Sequence, residues 1–139
     1  LAARVAEEIC IQLADESFKV VILFTGHYPP EQIDALEEGA RRARKMAKGT
    51  RFLVWADNQF LGDQYVGDHA GATETSFQMF FDPKSIVLDS LPDRPLTLDG
   101  DGVMGDDPRE ASVERGELQL KVVLQNAVPK VKALLEEIK

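Results

Sequence analysis

Two histidines and a glutamate are the residues of this sequence whose types and spacing could do chemistry. His27 directly follows an apolar, β-branched run, and an imidazole held at the end of a buried strand suits a metal ligand or a general base. His69 and Glu74 lie five residues apart. If a helix begins near Ala72, Glu74 lies in its first turn and His69 in the loop before it. The two side chains can then converge at the helix N-terminus.

Each of these residues also has a purely structural explanation. A single histidine after a strand is often a loop residue whose ring bonds to its neighbours. Glu74 in a first helical turn is explained by the helix dipole alone, because the partial positive charge of the N-terminus stabilises a carboxylate there. The spacing therefore leaves both a functional pair and an ordinary helix start open.

The periodicity of apolar residues predicts the elements that must position these side chains. Helices should cover 1–16, 30–48, 72–81 and 112–139, and strands should cover 18–25, 51–56 and 86–88. Alternating helices and short apolar strands are the layout of an α/β protein with a mostly parallel sheet. In such sheets, sites form in the loops at the carboxyl ends of the strands, and both histidines fall in such loops.

Further local signals refine these elements. The run over 18–25 is apolar nearly throughout, which predicts a strand covered on both faces. Residues 57–68 read as a polar loop. Residues 89–110, rich in proline, glycine and acidic groups, read as a long acidic loop, either ordered or mobile, rather than packed structure. Ser112 is a predicted N-cap for the last helix, and Pro129 should kink or divide that helix.

Composition excludes several classes of protein. Apolar residues make up 44% and charged residues 29% of the 139 residues, the balance of a single globular domain. No apolar run is long enough to span a bilayer, and the net charge of −8 disfavours nucleic acid and anionic membranes as partners. The single cysteine, Cys10, lies in an apolar helical pattern. It is predicted to be a core residue rather than a nucleophile, and it fits a reducing, cytoplasmic location.

Four blocks, in order along the chain, resemble the creatininase (creatinine amidohydrolase) family. The strand ending at Gly26-His27 is similar to the family's strand before its glycine–histidine motif. The family's histidine–glycine–glutamate–threonine–serine block, with the proline and valine that follow it, is matched by His69, Gly71, Glu74, Thr75, Ser76, Pro83 and Val87. Residues 102–106 and 111–117 resemble the family's closing signature.

The resemblance implies a three-layer α/β/α fold and hydrolysis of a non-peptide amide C–N bond by metal-activated water. It implies that His27 is a metal ligand and that His69 is the catalytic proton shuttle. Glu74 would be a metal ligand or would hold the metal-bound water. Tyr28 and Trp55 match positions that line the substrate pocket, although an aromatic residue at a strand end is often a packing residue.

Two departures from the family pattern bear on activity. Pro29 stands where some members have a metal-ligating glutamate, and no glutamate–x–histidine pair occurs in the sequence. In the family, that pair and an aspartate lie on an N-terminal segment that would precede Leu1. We therefore expect the chain to be the C-terminal part of a single creatininase-like domain (1–139). A divalent metal (zinc, manganese or iron) should bind only with the missing ligands, and the chain alone should be inactive.

Three hypotheses follow. The first is a metal-dependent amidohydrolase that acts on a small cyclic amide or a formamide. The second is a non-catalytic binding or assembly subunit that has lost its metal site, and the third is a flavodoxin-like binding module. The expected partners are a small-molecule amide substrate and further copies of the same chain, since family members form ring-like oligomers and exposed sheet edges favour association.

Overall fold

The computed structural model describes residues 1–27, 29–62 and 67–138, and the chain divides into two compact units. Unit 1 comprises Leu1–Gln59 and Ala127–Lys139, and unit 2 comprises Phe60–Asn126. Across the described residues, no helix combines the length and apolar character needed to cross a bilayer. The assignment of the whole chain to one creatininase-like domain stays a prediction.

The predicted helices and the first two strands are present. The helices are α1 (Ala2–Asp15), α2 (Pro30–Met46), α3 (Asn58–Leu61), α4 (Ala72–Phe81), α5 (Leu98–Asp101) and α6 (Val113–Glu136). The strands are β1 (Val20–Thr25) and β2 (Arg51–Ala56), and short 3-10 helices cover Pro83–Ser85, Leu88–Ser90 and Pro108–Glu110.

A small parallel sheet is the centre of unit 1. β1 pairs with β2 from Val20 opposite Arg51 to Thr25 opposite Ala56, and α2 connects the two strands. Two parallel strands joined by a helix form a β–α–β unit, which agrees with the predicted α/β class. In the part of the chain that the structure describes, the sheet has these two strands. The three-layer arrangement stays a prediction.

One face of this sheet carries the core of unit 1. Side chains of α1, α2 and both strands form one cluster: Cys10, Val21, Ala40, Ala43, Phe52 and Val54. Burial alternates along β2, as expected for a strand with one covered face. The prediction that β1 is covered on both faces was wrong, because Phe24 is 50% exposed. The helices of unit 1 cover the face of β1 that carries Val21.

Cys10 is fully buried in this cluster, which confirms its predicted place in the core. Burial raises the pKa of its thiol, and the nearby charge of Arg44 opposes that rise. Because the thiolate is the reactive form, we expect a neutral aromatic disulfide reagent to leave Cys10 unmodified in the native protein. The same reagent should modify one thiol per chain in guanidinium chloride. Rapid modification under native conditions would contradict this burial.

The third predicted strand, over residues 86–88, was wrong. Among the residues that the structure describes, Ile86 and Val87 pair with no strand, and Leu88 begins a 3-10 helix that ends at Ser90. Periodicity alone cannot separate a short buried strand from another short apolar segment. Here the apolar side chains line a pocket in unit 2 instead of joining a sheet.

Residues 89–110 are not wholly the predicted loop, because part of this segment is helical and packed. They contain α5, and Pro108 is buried. Arg94 donates two hydrogen bonds of 2.8 Å to the carboxylate of Asp101, which lower the pKa of that carboxyl to about 2. Polar contacts order this segment, and a search for apolar periodicity does not detect such contacts.

Three other local predictions have mixed outcomes. Residues 57–68 include α3 and so are not loop throughout, while residues 63–66 lie outside the described part of the chain. α6 continues through Pro129, so this proline does not divide the helix. The predicted N-cap is confirmed, because the hydroxyl of Ser112 accepts a 3.1 Å bond from the backbone N–H of Arg115.

Candidate functional site

The start of α4 is held by an acidic side chain from the preceding loop. The helix begins at Ala72, and Asp68 lies four residues earlier with only 7% of its surface exposed. Its Oδ2 accepts hydrogen bonds from the backbone N–H groups of Thr73 (2.6 Å) and Glu74 (3.3 Å), two donors that the helix cannot satisfy internally. Burial raises the pKa of Asp68, and these N–H bonds oppose that rise.

His69 and Glu74 are brought together at this helix start. Nδ1 of the imidazole lies 3.8 Å from Oε2 of the glutamate, and the same Oε2 accepts a 2.7 Å bond from the backbone N–H of Ala70. About half of each side chain is exposed (58% and 44%), so both reach solvent. Ala70 has a φ of +50°, an uncommon conformation for a residue with a Cβ, and it turns the chain between the two side chains.

Backbone pairing fixes the loop that carries His69. Its N–H donates to the carbonyl of Met104 and its carbonyl accepts from the N–H of Met104, both at 2.9 Å, as an antiparallel bridge. Three residues after His69, the N–H of Ala72 donates to the carbonyl of Asp106 at 3.0 Å. The segment 102–106, which the sequence placed in the family's closing signature, therefore lies against the histidine loop.

The second part of that closing signature contacts α4 itself. Arg115, in the first turn of α6, donates to the hydroxyl of Thr73 (3.2 Å) and to the carboxylate of Asp106 (3.3 Å). The N–H of Ser112 donates to the hydroxyl of Ser76 at 3.2 Å. Three of the four sequence blocks thus converge on one helix N-terminus within unit 2.

The other predicted site residues belong to unit 1 or lie outside the described residues. His27 follows β1 with an exposed side chain, and its backbone N–H donates to the hydroxyl of Thr25 at 3.1 Å. Trp55 is half-buried on β2. Tyr28 lies outside the described residues. The structure therefore brings His69 and Glu74 together, and the ligand role of His27 and the pocket roles of Tyr28 and Trp55 stay predictions.

Two residues at the start of α4 were not predicted from the sequence. Asp68 caps the helix although it lies three residues before the usual capping position, which Gly71 occupies. Aspartate in a glycine-containing turn before a helix is a recognisable capping signal, and it could have identified Asp68. Arg115 had no local signal, because its partners lie 42 and nine residues away in sequence.

A shallow open pocket adjoins the histidine loop. Its volume is about 270 Å³, and Ala70 and Thr75 form part of its wall. The remaining wall is mainly aliphatic, with contributions from Ile86, Val87, Leu88 and Val103. Ala70 belongs both to this wall and to the hydrogen bond that fixes Glu74, so the pocket lies next to the His69–Glu74 pair.

The described residues do not by themselves form a metal site. Among residues 1–27, 29–62 and 67–138, no three histidine, cysteine, aspartate or glutamate side chains come together as metal ligands. A transition-metal site in a protein needs three or more such ligands. Near α4, the Oδ2 of Asp68 and the Oε2 of Glu74 already accept backbone hydrogen bonds.

A solvent-facing imidazole beside a carboxylate at a helix start is an arrangement that can transfer a proton to or from a bound molecule. The chain belongs to the creatininase family: the family model described as creatinine amidohydrolase matches residues 1–131. No curated protein and no solved structure matches the chain significantly. Membership of this family suggests an amidohydrolase, and the family is generally metal-dependent.

Proposed function

We propose that this protein is an amidohydrolase that cleaves a non-peptide C–N bond, of the cyclic amide or formamide type, in a small molecule. The observation that carries the proposal is the 3.8 Å approach of His69 Nδ1 to Glu74 Oε2 at a water-accessible helix start. Family membership supports the reaction class. The aliphatic pocket beside the pair gives room for the apolar part of such a substrate.

In this proposal, His69 moves the proton that amide hydrolysis requires. Water adds to the carbonyl carbon and loses a proton, and the amide nitrogen must gain a proton before the C–N bond breaks. A neutral imidazole accepts the first proton and, as imidazolium, donates the second, so no net proton is consumed. The carboxylate of Glu74 faces Nδ1, which leaves Nε2 as the nitrogen available to substrate.

The proposal includes a divalent metal of the zinc, manganese or iron type, in keeping with the family. His27 would be a ligand, and Glu74 would be a ligand or would hold the attacking water. Because the described residues do not form a complete metal site, the remaining ligands would come from outside them. The proton transfer assigned to His69 needs only the side chains of unit 2.

A second candidate function is a non-catalytic binding or assembly subunit. Pro29 favours it, because this exposed proline directly precedes α2 at a position where some relatives carry a ligating glutamate. Its side chain has neither a hydrogen-bond donor nor an acceptor. In either case we expect a homo-oligomer and a small-molecule ligand.

Hydrolysis of a substrate panel tests the proposal. The protein is incubated with creatinine, other five- and six-membered cyclic amides and N-formyl amines, with zinc, manganese or iron(II), and products are followed by mass spectrometry. We expect turnover of at least one compound with at least one metal, and its loss with a chelator. No turnover, with less than about a tenth of an equivalent of bound metal after supplementation, would contradict the enzyme and favour the binding subunit.

A further inference from the structure

Asp68 joins the two members of the proposed proton-transfer pair. Among the described residues it is the one buried carboxylate, and it directly precedes His69 in the chain. Its Oδ2 accepts from the backbone N–H of Glu74 and, more closely, from that of Thr73. One buried oxygen therefore connects the loop that carries the imidazole to the helical turn that carries the facing carboxylate.

The surrounding backbone is fitted closely around this side chain. A Cβ added at Gly71 would lie 2.7 Å from Oδ2 of Asp68, and one added at Gly105 would lie 2.5 Å from its Cβ. Gly105 also has a φ of +99°, a conformation that residues with a Cβ rarely adopt. With the bridge between His69 and Met104 on the same loop, a shift of Asp68 would require the whole turn to move.

A residue that only caps a helix has no need of this enclosure. Exposed serine, threonine, asparagine and aspartate side chains cap helices well, whereas a buried carboxylate loses its hydration and must regain it from fixed donors. Here the donors belong to the turn that carries Glu74, and the acceptor is adjacent to His69. The cost of burial is thus offset by bonds that hold together the two backbone segments carrying the pair.

We propose that Asp68 is a positioning residue, which holds the loop of His69 against the first turn of α4 and so keeps the imidazole beside Glu74. The proposal rests on the proposed proton-transfer function of this pair. It predicts that the capping oxygen, rather than the negative charge, is required. Asparagine at position 68 should therefore keep the imidazole beside Glu74. Alanine and serine, which have no acceptor at that distance, should not keep it there.

Imidazole nitrogen NMR of the 139-residue chain tests this without a substrate. His27 and His69 are the two histidines of the sequence, so the spectrum contains signals from two imidazole rings. A variant that lacks one of the two histidines identifies which signals belong to which ring. At alkaline pH, where imidazole is neutral, the ¹⁵N shifts report which nitrogen carries the proton. We expect Glu74→Gln to shift the His69 nitrogens, Asp68→Ala and Asp68→Ser to shift them in the same direction, and Asp68→Asn to leave them unchanged. The His27 nitrogens should not move in any variant.

Asp107→Ala is the matched control, because Asp107 also caps a short helix in unit 2 through the backbone N–H of Arg109. It should lower thermal stability without shifting His69. Folded Asp68→Ala or Asp68→Ser protein with wild-type His69 shifts would overturn the positioning role, as would shifted His69 nitrogens in Asp68→Asn. If Asp68→Ala does not fold, Asp68→Ser gives the same comparison with a polar group kept at the site.

Activity separates this proposal from the proposed function. If a substrate is found, Asp68→Ala should lower kcat by about tenfold to a hundredfold with KM little changed, and Asp68→Asn should retain wild-type kcat. Shifted His69 nitrogens in a protein that hydrolyses nothing would uphold the positioning role and contradict the amidohydrolase. Hydrolysis by the wild type, together with unchanged His69 nitrogen shifts in Asp68→Ala, would uphold the amidohydrolase and contradict the positioning role.

Discussion

In the hydrolysis assay, His69→Ala is expected to lower kcat by about 10²–10⁴-fold and to leave the fold and the bound-metal content at wild-type values. The imidazole is half exposed, and its neighbour Glu74 keeps a separate bond to the N–H of Ala70. Removing the ring therefore removes the proton carrier without releasing the carboxylate or opening the core. The measurements are kcat and KM on the substrate identified in the panel, with metal content by elemental analysis.

His27→Ala is the informative comparison, because the family resemblance makes His27 a metal ligand. We expect this variant to lose metal and activity together, whereas His69→Ala should lose activity alone. Loss of metal in His69→Ala would make His69 a ligand and contradict its assigned role. A kcat within about twofold of wild type in His69→Ala would remove it from the mechanism.

Gly116→Ala is expected to destabilise unit 2 by about 3 kcal/mol, although alanine is favoured over glycine within a helix by about 1 kcal/mol. Gly116 is buried in α6 where that helix crosses α4. A Cβ at this position would lie 2.0 Å from the carbonyl oxygen of Ser76 and 2.9 Å from the Cβ of Phe80. The contact is with backbone, so rotating a side chain cannot relieve it and the two helices must separate.

Denaturant unfolding measures this change, and Gly49→Ala provides the control. A Cβ at Gly49 has nothing within 4 Å, so the same substitution there should stabilise the protein slightly, by about 0.4–1 kcal/mol. Separation of α4 and α6 should also break the bond between Ser112 and Ser76, so Gly116→Ala should perturb the His69 nitrogens. A Gly116→Ala protein as stable as wild type would mean that the helices are not in this contact.

The elements that the sequence predicted well are those specified by neighbouring residues. α4 was predicted over 72–81 and lies over Ala72–Phe81, with Glu74 in its first turn. The N-cap at Ser112 and the burial of Cys10 were predicted from local patterns in the same way. In each case the signal is a periodicity or a capping residue within a few positions, which a reader of the sequence can see.

The failures concern segments whose conformation depends on distant contacts. Residues 86–88 have the composition of a strand, but they pair with no strand in the described part of the chain, and they line a pocket. Residues 89–110 have the composition of a loop without packed structure, yet Arg94 pairs with Asp101 there and Pro108 is buried. Neither outcome follows from hydropathy, because strand pairing and ion pairs depend on which segments the fold places side by side.

By itself, the sequence determined the family, the four longer helices with the two strands β1 and β2, and the placing of His69 and Glu74 around a helix start. Only the tertiary structure decided what holds that start: Asp68 beneath the first turn, Met104 against His69, and Arg115 across to Thr73. Helix periodicity is encoded in the polarity of residues three or four positions apart. Contacts between residues 35 to 42 positions apart, such as His69 with Met104 and Thr73 with Arg115, depend instead on how the whole of unit 2 packs.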